Sequence, residues 1–364
     1  MPTPKGRAAP ENQLSTRFNL PARQAEGDWL DWAMQDWATE EGELPPLRTS
    51  VQIERPRTAL NRNDSPDIPF DRSFNAYRGC EHGCIYCFAR PTHAYHDLSP
   101  GLDFETKLFA KPTGPALLRA EFAKRGYRPD VLAMGTNTDP YQPIEARFRI
   151  TRAVLELCLE TRHPVAVTTK SARVLEDLPL FADLARLGLA AVMLSVTTLD
   201  PALARAMEPR ASAPRLRLKA IAVLARAGVP VYVSVSPMIP ALNDHELEAI
   251  MQAAAEAGAV HAITIPVRLP HEVAPLFEAW LDANRPDRKV RVLNAIRAMR
   301  GGRLNDHRFG ARMRPQGEWG RLMATRFATA RKRYDLNRFV APLRTDLFTP
   351  PRLDERQGEL FLTG

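Results

Sequence analysis

The chain has little cysteine, only four residues among 364, and it has no long apolar run. No stretch approaches twenty consecutive apolar residues, so the sequence predicts no membrane-spanning helix and no membrane partner. No apolar signal segment opens the chain, and three of the four cysteines fall within eight residues. This count and context argue against a disulfide framework.

The three clustered cysteines are Cys80, Cys84 and Cys87, with the spacing C-x3-C-x2-C. Three thiolates on one short loop can hold three irons of a cubane cluster and leave the fourth iron without a protein ligand. An open coordination position is where a metal site carries out chemistry. The fourth cysteine, Cys158, lies in a strongly helical stretch with apolar neighbours, which predicts a packed small side chain.

Zinc is the competing metal for this motif, because His82, His93 or His96 could supply a fourth, tetrahedral ligand. A zinc- or cluster-stabilised protein that binds nucleic acid without turnover is therefore an alternative function. Iron and zinc analysis of the reconstituted protein separates the two hypotheses.

The aromatic residue before the last cysteine, Tyr86, gives a C-x3-C-x-aromatic-C pattern similar to the signature of the radical S-adenosylmethionine (SAM) superfamily. The run from Asn75 to Arg90 resembles the branch of spore photoproduct lyase and of bacterial proteins often labelled DNA repair photolyases. The resemblance covers about residues 50–340. It implies a [4Fe-4S] cluster that reductively cleaves SAM to a 5′-deoxyadenosyl radical, and a reduced ferredoxin or flavodoxin-type electron donor. The few cysteines, the lack of a signal segment and the oxygen-sensitive cluster motif together predict a reducing, cytoplasmic location.

The middle of the chain alternates apolar, β-branched runs with helical patterns, and strands without clean alternation are typical of parallel strands buried on both faces. Six strand-helix repeats are too few for a closed eight-stranded barrel. The sequence therefore predicts an α/β fold, a partial (β/α)6 TIM-type barrel open on one side, which also fits the resemblance. The strands are expected around 74–77, 131–135, 165–169, 191–196, 229–235 and 262–266.

Two flanking segments are expected beside the barrel, which we place at residues 51–285. Residues 1–50 combine a leader, predicted to be disordered to about residue 25, with an acidic helix rich in tryptophan. Exposed tryptophans at that density would be costly, so we expect this amphipathic helix to dock on the barrel.

Residues 286–364 form a basic C-terminal extension, expected to lie across the open side or mouth of the barrel. Between Arg285 and Arg338 there are sixteen Lys or Arg residues and four acids, a net charge of +12. Such a block could attract a polyanion such as nucleic acid. The alternatives are a solvated face or a partner for the acidic N-terminal helix.

Residues that end the predicted strands are candidates for the active site, because parallel α/β folds form their sites where strands lead into loops. Thr136, Asn137 and Asp139 follow the second strand and could accept hydrogen bonds from the ammonium of SAM. Lys170 follows the third strand and could pair with the carboxylate of SAM. The alternatives are a local turn for the first group and a lysine that reaches the barrel rim for the second.

The resemblance adds contacts for the adenosine part of SAM. It implies that Ser195, in the fourth strand, meets the cofactor and that the backbone around Ser236, in the fifth, lies against the adenosine. Tyr86 and Phe88 flank Cys87 and could cover the adenine or shield the cluster. Ordinary core packing is the alternative for each of these side chains.

One departure from the resemblance leaves the reaction open. Spore photoproduct lyase returns a hydrogen atom from a cysteine just before a Thr-Ser-Asp turn, whereas the matching stretch, residues 136–139, has no cysteine. Another donor would be needed, and Tyr141 is a candidate. The predicted activity is therefore radical chemistry, with repair or modification of nucleic acid as one substrate class and a small metabolite or peptide as another.

Overall fold

The structure, a computed structural model, describes residues 4–13, Ser15 and 48–352. Ten strands lie in this part of the chain. In chain order they are β1 (Ser50–Ile53), β2 (Asn61–Arg62), β3 (Arg72–Phe74), β4 (Tyr77–Arg78), β5 (Lys107–Ala110), β6 (Leu132–Met134), β7 (Val165–Thr169), β8 (Ala190–Ser195), β9 (Val231–Met238) and β10 (His261–Pro266).

Eleven α-helices lie in the same described ranges. They are α1 (Leu102–Thr106), α2 (Gly114–Phe122), α3 (Glu145–Phe148), α4 (Ile150–Thr161), α5 (Leu178–Arg186), α6 (Pro201–Met207), α7 (Pro214–Arg226), α8 (Leu247–Glu256), α9 (Val273–Asn284), α10 (Lys289–Met299) and α11 (Gly317–Arg333). Short 3-10 helices span Arg90–His96, Ala172–Asp177, Asp244–Glu246 and Ala311–Met313.

The main sheet has the strand order β10-β9-β8-β7-β6-β3-β2. Six strands of this sheet run parallel, namely β3, β6, β7, β8, β9 and β10, and β2 pairs antiparallel with β3 at one edge. Within the described chain no ladder joins β10 back to β3, so the sheet curves without closing. This confirms the predicted partial barrel and its six parallel strands. A second sheet, β1-β5-β4, was not anticipated.

The composition of the strands explains why they lie between layers. Val231, Val233 and Val235 in β9 are fully buried, as are Val192 and Leu194 in β8. Alternate positions of a strand share one face, so these residues form the apolar face that packs on the crossover helices. The opposite face of β9 carries Ser234 and Ser236 instead.

A glycine separates the crossover helices α5, α7 and α8 from the next strand, whereas α4 is followed by Arg162 with φ +52°. Gly228 has φ +79°, a conformation that residues with a side chain rarely adopt. The next residue, Val229, donates from its backbone N–H to Leu224 O at 3.1 Å, a contact typical of a helix end. The chain can therefore turn directly from α7 into β9.

The prediction of a disordered leader to about residue 25 is wrong for residues 4–13, which we name the N-terminal strap. Ala8 and Ala9 are buried, and Gly101 packs so closely on the strap that an added Cβ would lie 2.2 Å from Glu11 O. Because the strap has few large apolar residues, its composition gave no sign of this packing. The acidic tryptophan-rich helix lies outside the described residues.

The basic C-terminal extension packs on the barrel as far as residue 352. The backbone N–H of Ala262, in β10, donates to Leu336 O at 3.0 Å, and Leu336 is fully buried. Trp319, near the start of α11, donates from Nε1 to Asp244 Oδ2 at 2.8 Å. The extension thus covers the β10 edge of the sheet. No helix in the described part of the chain is long and apolar enough to cross a membrane.

Candidate active site

The three cysteines lie on a loop, residues 80–87, that follows β4 at the end of the barrel where parallel strands finish. Gly79 introduces the loop with φ +73°, and an added Cβ there would lie 2.6 Å from Leu108. Two tight turns then form, in which Gly83 N donates to Cys80 O at 3.3 Å and Cys87 N donates to Cys84 O at 3.1 Å. These turns bring three thiols onto one short segment.

A buried arginine holds this loop in shape. Arg90 is fully buried and donates from Nε to Cys84 O at 2.9 Å and from Nη2 to Gly83 O at 2.9 Å. Its Nη2 also pairs with Glu105 Oε1 at 2.5 Å, and Glu105 is likewise fully buried. A charged pair that is buried and hydrogen-bonded on all sides fixes geometry strongly, because loss of either partner would leave an uncompensated charge.

The thiols suit metal ligation. Burial raises the pKa of Cys80 well above its usual value, and nearby Asp139 and the other two thiols add to the shift. Burial likewise raises the pKa of Cys84 and of Cys87. Three thiolates therefore cannot accumulate here at neutral pH without a compensating cation, and an iron-sulfur cluster supplies that charge as it displaces the protons.

The three histidines proposed as zinc ligands have other contacts. His82 Nδ1 lies 3.2 Å from Asp139 Oδ2, His93 Nε2 lies 2.8 Å from Lys107 O, and the ring of His96 packs on Phe109 with centroids 4.9 Å apart. Within residues 4–13, 15 and 48–352, no three His, Cys, Asp or Glu side chains converge on one point. This arrangement favours a cluster, in which each cysteine ligates a different iron, over a single tetrahedral zinc ion.

Asp139, in the loop after β6, is surrounded by protein donors. Its carboxylate accepts from Thr169 Oγ1 at 2.7 Å, from Lys170 N at 2.8 Å and from Tyr141 N at 2.8 Å, besides the contact with His82. Burial raises the pKa of this carboxyl, but His82 and the hydrogen bonds outweigh it and leave the pKa low. Asp139 thus joins the cysteine loop to β7, and a contact with SAM would have to share oxygens already in use.

Thr136 and Asn137 lie beside Asn75, at the end of β3. Asn75 Nδ2 donates to Thr136 Oγ1 at 3.0 Å, and Asn137 N donates to Asn75 Oδ1 at 3.0 Å. Unlike Asp139, both side chains are only partly buried. Of the three residues predicted for the ammonium group, these two therefore have the more accessible acceptors.

Lys170, directly after β7, enters a buried polar cluster beside the cysteines. Its Nζ lies 3.3 Å from Glu208 Oε1, 3.2 Å from Thr197 Oγ1 and 5.6 Å from the centroid of the Tyr86 ring. Burial lowers the pKa of Lys170 to about 8, although the neighbouring Cys84 opposes the shift. The lysine is mostly buried and lies among functional candidates, so the interpretation as a rim lysine is disfavoured.

Two charged residues of this cluster, Glu208 and Arg217, were missed by sequence reasoning. Arg217 is fully buried, pairs with Glu208 Oε2 and donates from Nη1 to Ser195 O at 2.9 Å. Its position on α7 held a usable signal, since it shares the helix face of the buried Ala220, Ile221 and Leu224 at i+3, i+4 and i+7. A charged residue on an apolar stripe indicates a buried partner.

The residues predicted for the adenosine lie on adjoining strands. Ser195, at the end of β8, is buried and pairs in register with Ser234 of β9. Ser236 Oγ accepts from Ile265 N at 2.8 Å, so this hydroxyl already joins β9 to β10. Tyr86 is buried, and its hydroxyl donates to Glu208. These contacts leave the backbone of β9 as the better candidate for the adenosine.

Phe88 differs from Tyr86, because 48% of it is exposed. The guanidinium of Arg268, which follows β10, lies 4.7 Å from the centroid of the Phe88 ring. Burial and nearby Arg312 lower the pKa of Arg268, while Asp67 and Cys87 oppose the shift. An aromatic ring and a guanidinium thus flank the partly exposed cysteine of the loop.

Tyr141, the candidate hydrogen donor, is directed away from the cysteines. It is fully buried, and its hydroxyl donates to Asp177 Oδ2 at 2.8 Å, where Arg152 also pairs with that carboxylate at 2.7 Å. Its ring packs in the core between sheet and helices, whereas Cys84 and Tyr86 belong to a separate apolar cluster. This placement argues against Tyr141 as the donor.

Comparison with known proteins agrees with this geometry. The sequence profile of the Radical SAM superfamily matches residues 74–254. An uncharacterized protein of Mycobacterium tuberculosis is 35% identical over 234 residues, which cover 64% of this chain and 69% of that protein. An uncharacterized protein of Methanocaldococcus jannaschii is 28% identical over 172 residues, 47% of this chain and 62% of that protein.

Among solved structures, a variant of spore photoproduct lyase has a TM-score of 0.58 at 15% identity, covering 79% of this chain and 80% of that one. Spore photoproduct lyase complexed with a dinucleoside spore photoproduct has a TM-score of 0.57 at 15% identity, covering 78% and 79%. At this identity the likeness concerns the fold. Together with the sequence profile and the three-cysteine loop, it shows that the chain belongs to the radical SAM superfamily and is an enzyme whose cofactors are a [4Fe-4S] cluster and SAM.

Proposed function

We propose that this radical SAM enzyme acts on nucleic acid, in the repair or modification of a base. The observation that carries the proposal is the exposed Phe88 with Arg268 over its ring, directly beside Cys87. An aromatic face that can stack a base, next to a guanidinium that can bind a phosphate, is the usual combination at single-stranded nucleic-acid sites. When bound and reduced, the cluster and SAM would supply the radical chemistry that removes a hydrogen atom from the substrate.

In this proposal different residues of the site bind the cluster and the separate parts of SAM. Cys80, Cys84 and Cys87 hold the cluster. Lys170 pairs with the carboxylate of SAM, because its ammonium lies inside the barrel beside Cys84 and is only partly buried, whereas Arg217 is fully buried against Glu208 and Ser195 O. The hydroxyl and amide oxygens of Thr136 and Asn137 receive the ammonium of SAM. The strand ends at 195 and 236 flank the adenosine.

Replacement of Lys170 by alanine tests the proposed contact between this lysine and the carboxylate of SAM. Loss of a charge-assisted contact of about 1.5–3 kcal/mol should weaken SAM binding by roughly tenfold to a hundredfold. Glu208 keeps Arg217 as its partner, so iron content should remain normal. The measurement is an anaerobic titration of the reconstituted variant with SAM. An unchanged dissociation constant would assign Lys170 to the neutralisation of Glu208 alone.

The surface around the mouth supports a polyanionic substrate. Arg303, Arg314 and Arg321 are exposed, and none of them forms an ion pair with another described residue. Arg312 is different, since it pairs with Asp67 and so ties the extension to the loop after β2. The extension thus retains positive charge after its internal pairs are formed, and this charge lies near the end of β10.

The solved relatives give a second line of support. Spore photoproduct lyase, which shares this fold, has been solved with a dinucleoside spore photoproduct. The loop at residues 136–139 has no cysteine and Tyr141 is directed to Asp177. We therefore propose the substrate class and leave that particular photoproduct unassigned. As electron donor we propose a reduced ferredoxin or flavodoxin-type protein, since radical SAM enzymes require a reductant.

Salt dependence tests the contact with nucleic acid. Binding of a generic duplex should weaken with salt, with a slope of log affinity near −4 to −5 for about five phosphate contacts, and binding of a single strand with the same contacts should have a slope near −3.5. Charge reversal at Arg314 and Arg321 should flatten the duplex slope by about 2 units, because each lost phosphate contact removes about 0.9. Fluorescence anisotropy over a salt series measures both.

A matched control reverses the same charge at the opposite end of the barrel. Arg125 and Arg226 are exposed and precede β6 and β9, so their replacement by glutamate should leave the slope unchanged. Anaerobic reaction with dithionite and SAM gives the functional readout, in which added DNA or RNA should increase the yield of 5′-deoxyadenosine. Absence of binding at low salt, together with an unchanged yield, would favour a small metabolite or peptide as substrate.

A further inference from the structure

The N-terminal strap is attached to the residues that shape the cysteine loop. The backbone N–H groups of Ala8 and Ala9 donate to Glu105 Oε2 at 3.2 Å and Oε1 at 3.0 Å. The same carboxylate pairs with Arg90, which holds the carbonyls of Gly83 and Cys84. One buried carboxylate therefore joins the strap to the cysteine loop.

A second route runs through Arg7. Its Nη1 donates to Glu105 O at 2.8 Å, and its Nη2 donates to Thr49 Oγ1 at 3.0 Å. Thr49 Oγ1 in turn donates to Glu81 Oε1 at 2.6 Å, and Glu81 follows Cys80 directly. The strap thus reaches the loop at both of its turns, beside the first cysteine and beside the second.

The N-terminal strap is packed closely against the protein. Ala8 and Ala9 have exposed fractions of 1% and 0% and belong to the apolar cluster that contains Cys84, Ile85 and Tyr86. The hydroxyl and ring of Tyr86 contact Thr197, Glu208 and Lys170 inside the barrel. The loop therefore contacts the polar cluster of the barrel interior through Tyr86 and the strap through its other residues.

We propose that the strap is part of the cluster site: by docking on the side of the cysteine loop away from the barrel interior, it holds the loop in the shape that binds the [4Fe-4S] cluster and so strengthens retention of the cluster. The proposal rests on the cysteine loop as the cluster's ligand set and is independent of the substrate. If strap docking stabilises the bound cluster, the bound cluster must stabilise strap docking by the same factor. This reciprocity provides two separate tests.

The first test is the lifetime of the cluster in air. Ala9→Asp places a second carboxylate beside Glu105 in a fully buried position, which should undock the strap. We expect loss of the visible cluster absorption to be about tenfold faster, which corresponds to about 1.4 kcal/mol of lost stabilisation of the bound cluster. Ala328→Asp, an equal change at an exposed position of α11, is the matched control. Equal lifetimes of the two variants would overturn the proposal.

The second test needs no variant and no turnover. Docked Arg7 is buried, so trypsin should cut after it only when the strap is released. Reconstituted and cluster-free protein are digested side by side under anaerobic conditions, and mass spectrometry follows removal of the residues up to Arg7. We expect slower cleavage in the reconstituted form, about tenfold for the same coupling. Equal rates in the two forms would contradict the proposal, whatever the result with nucleic acid.

Discussion

Alanine in place of Cys80, Cys84 or Cys87 should abolish SAM cleavage and leave the protein without a cluster or with an unstable three-iron cluster. Each thiolate of a cubane cluster holds its own iron, so no remaining side chain of the loop can replace a lost ligand. The effect is expected to be the same for all three positions, although Cys87 is more exposed than the others. Iron analysis and the anaerobic yield of 5′-deoxyadenosine provide the measurements.

The control for this experiment is the fourth cysteine. Cys158 is fully buried in the core between α4 and the sheet, and burial raises the pKa of its thiol to about 12. Cys158→Ala should therefore cost only about 1 kcal/mol of stability, through a small cavity, and keep normal iron content and activity. A variant at position 158 that lost its cluster while Cys80→Ala kept it would show that the ligands are wrongly assigned.

The fold could largely be predicted because its dominant signal is local. Each parallel strand is a short β-branched run, and each is followed by a helix with apolar spacing. The bounds agree closely at β7, which spans Val165–Thr169 as expected, and at β10, which spans His261–Pro266 where 262–266 was expected. The count of six then distinguishes a partial barrel from a closed one.

The N-terminal strap and the second sheet could not be predicted for the opposite reason. The strap is short and rich in proline and small residues, and its order comes from Glu105, about a hundred positions away in sequence. β1 pairs with β5 across more than fifty residues. Contacts of this range leave no periodicity in the segment itself, so composition alone predicts a disordered leader.

The candidate site was predicted in part. Motif spacing identifies the cysteines, and position after a strand identifies Lys170. Burial of charge is not visible in the same way, because Arg90, Glu105, Glu208 and Arg217 have the composition of exposed residues. Their roles follow only from pairing: Arg90 with Glu105 outside the barrel, and Arg217 with Glu208 inside it. The cysteine loop lies between these two buried ion pairs.

The outer pair gives the largest expected effect on stability. Arg90→Met removes five hydrogen bonds, to four backbone carbonyls and to Glu105, and leaves that carboxylate buried without its cation. Breaking a buried pair in this way should lower the free energy of unfolding by about 3–5 kcal/mol. Urea denaturation of the cluster-free protein measures this loss separately from any contribution of bound iron.

The same substitution type at an exposed pair provides the comparison. Arg186 pairs with Asp183 on the surface of α5, with three quarters of its side chain exposed. Arg186→Met should cost no more than about 1 kcal/mol, the range of exposed ion pairs. Since Arg90 fixes the carbonyls of Gly83 and Cys84, its loss should also reduce the iron retained after reconstitution, whereas Arg186→Met should retain all of it. Equal stability of the two variants would show that the loop keeps its shape without Arg90.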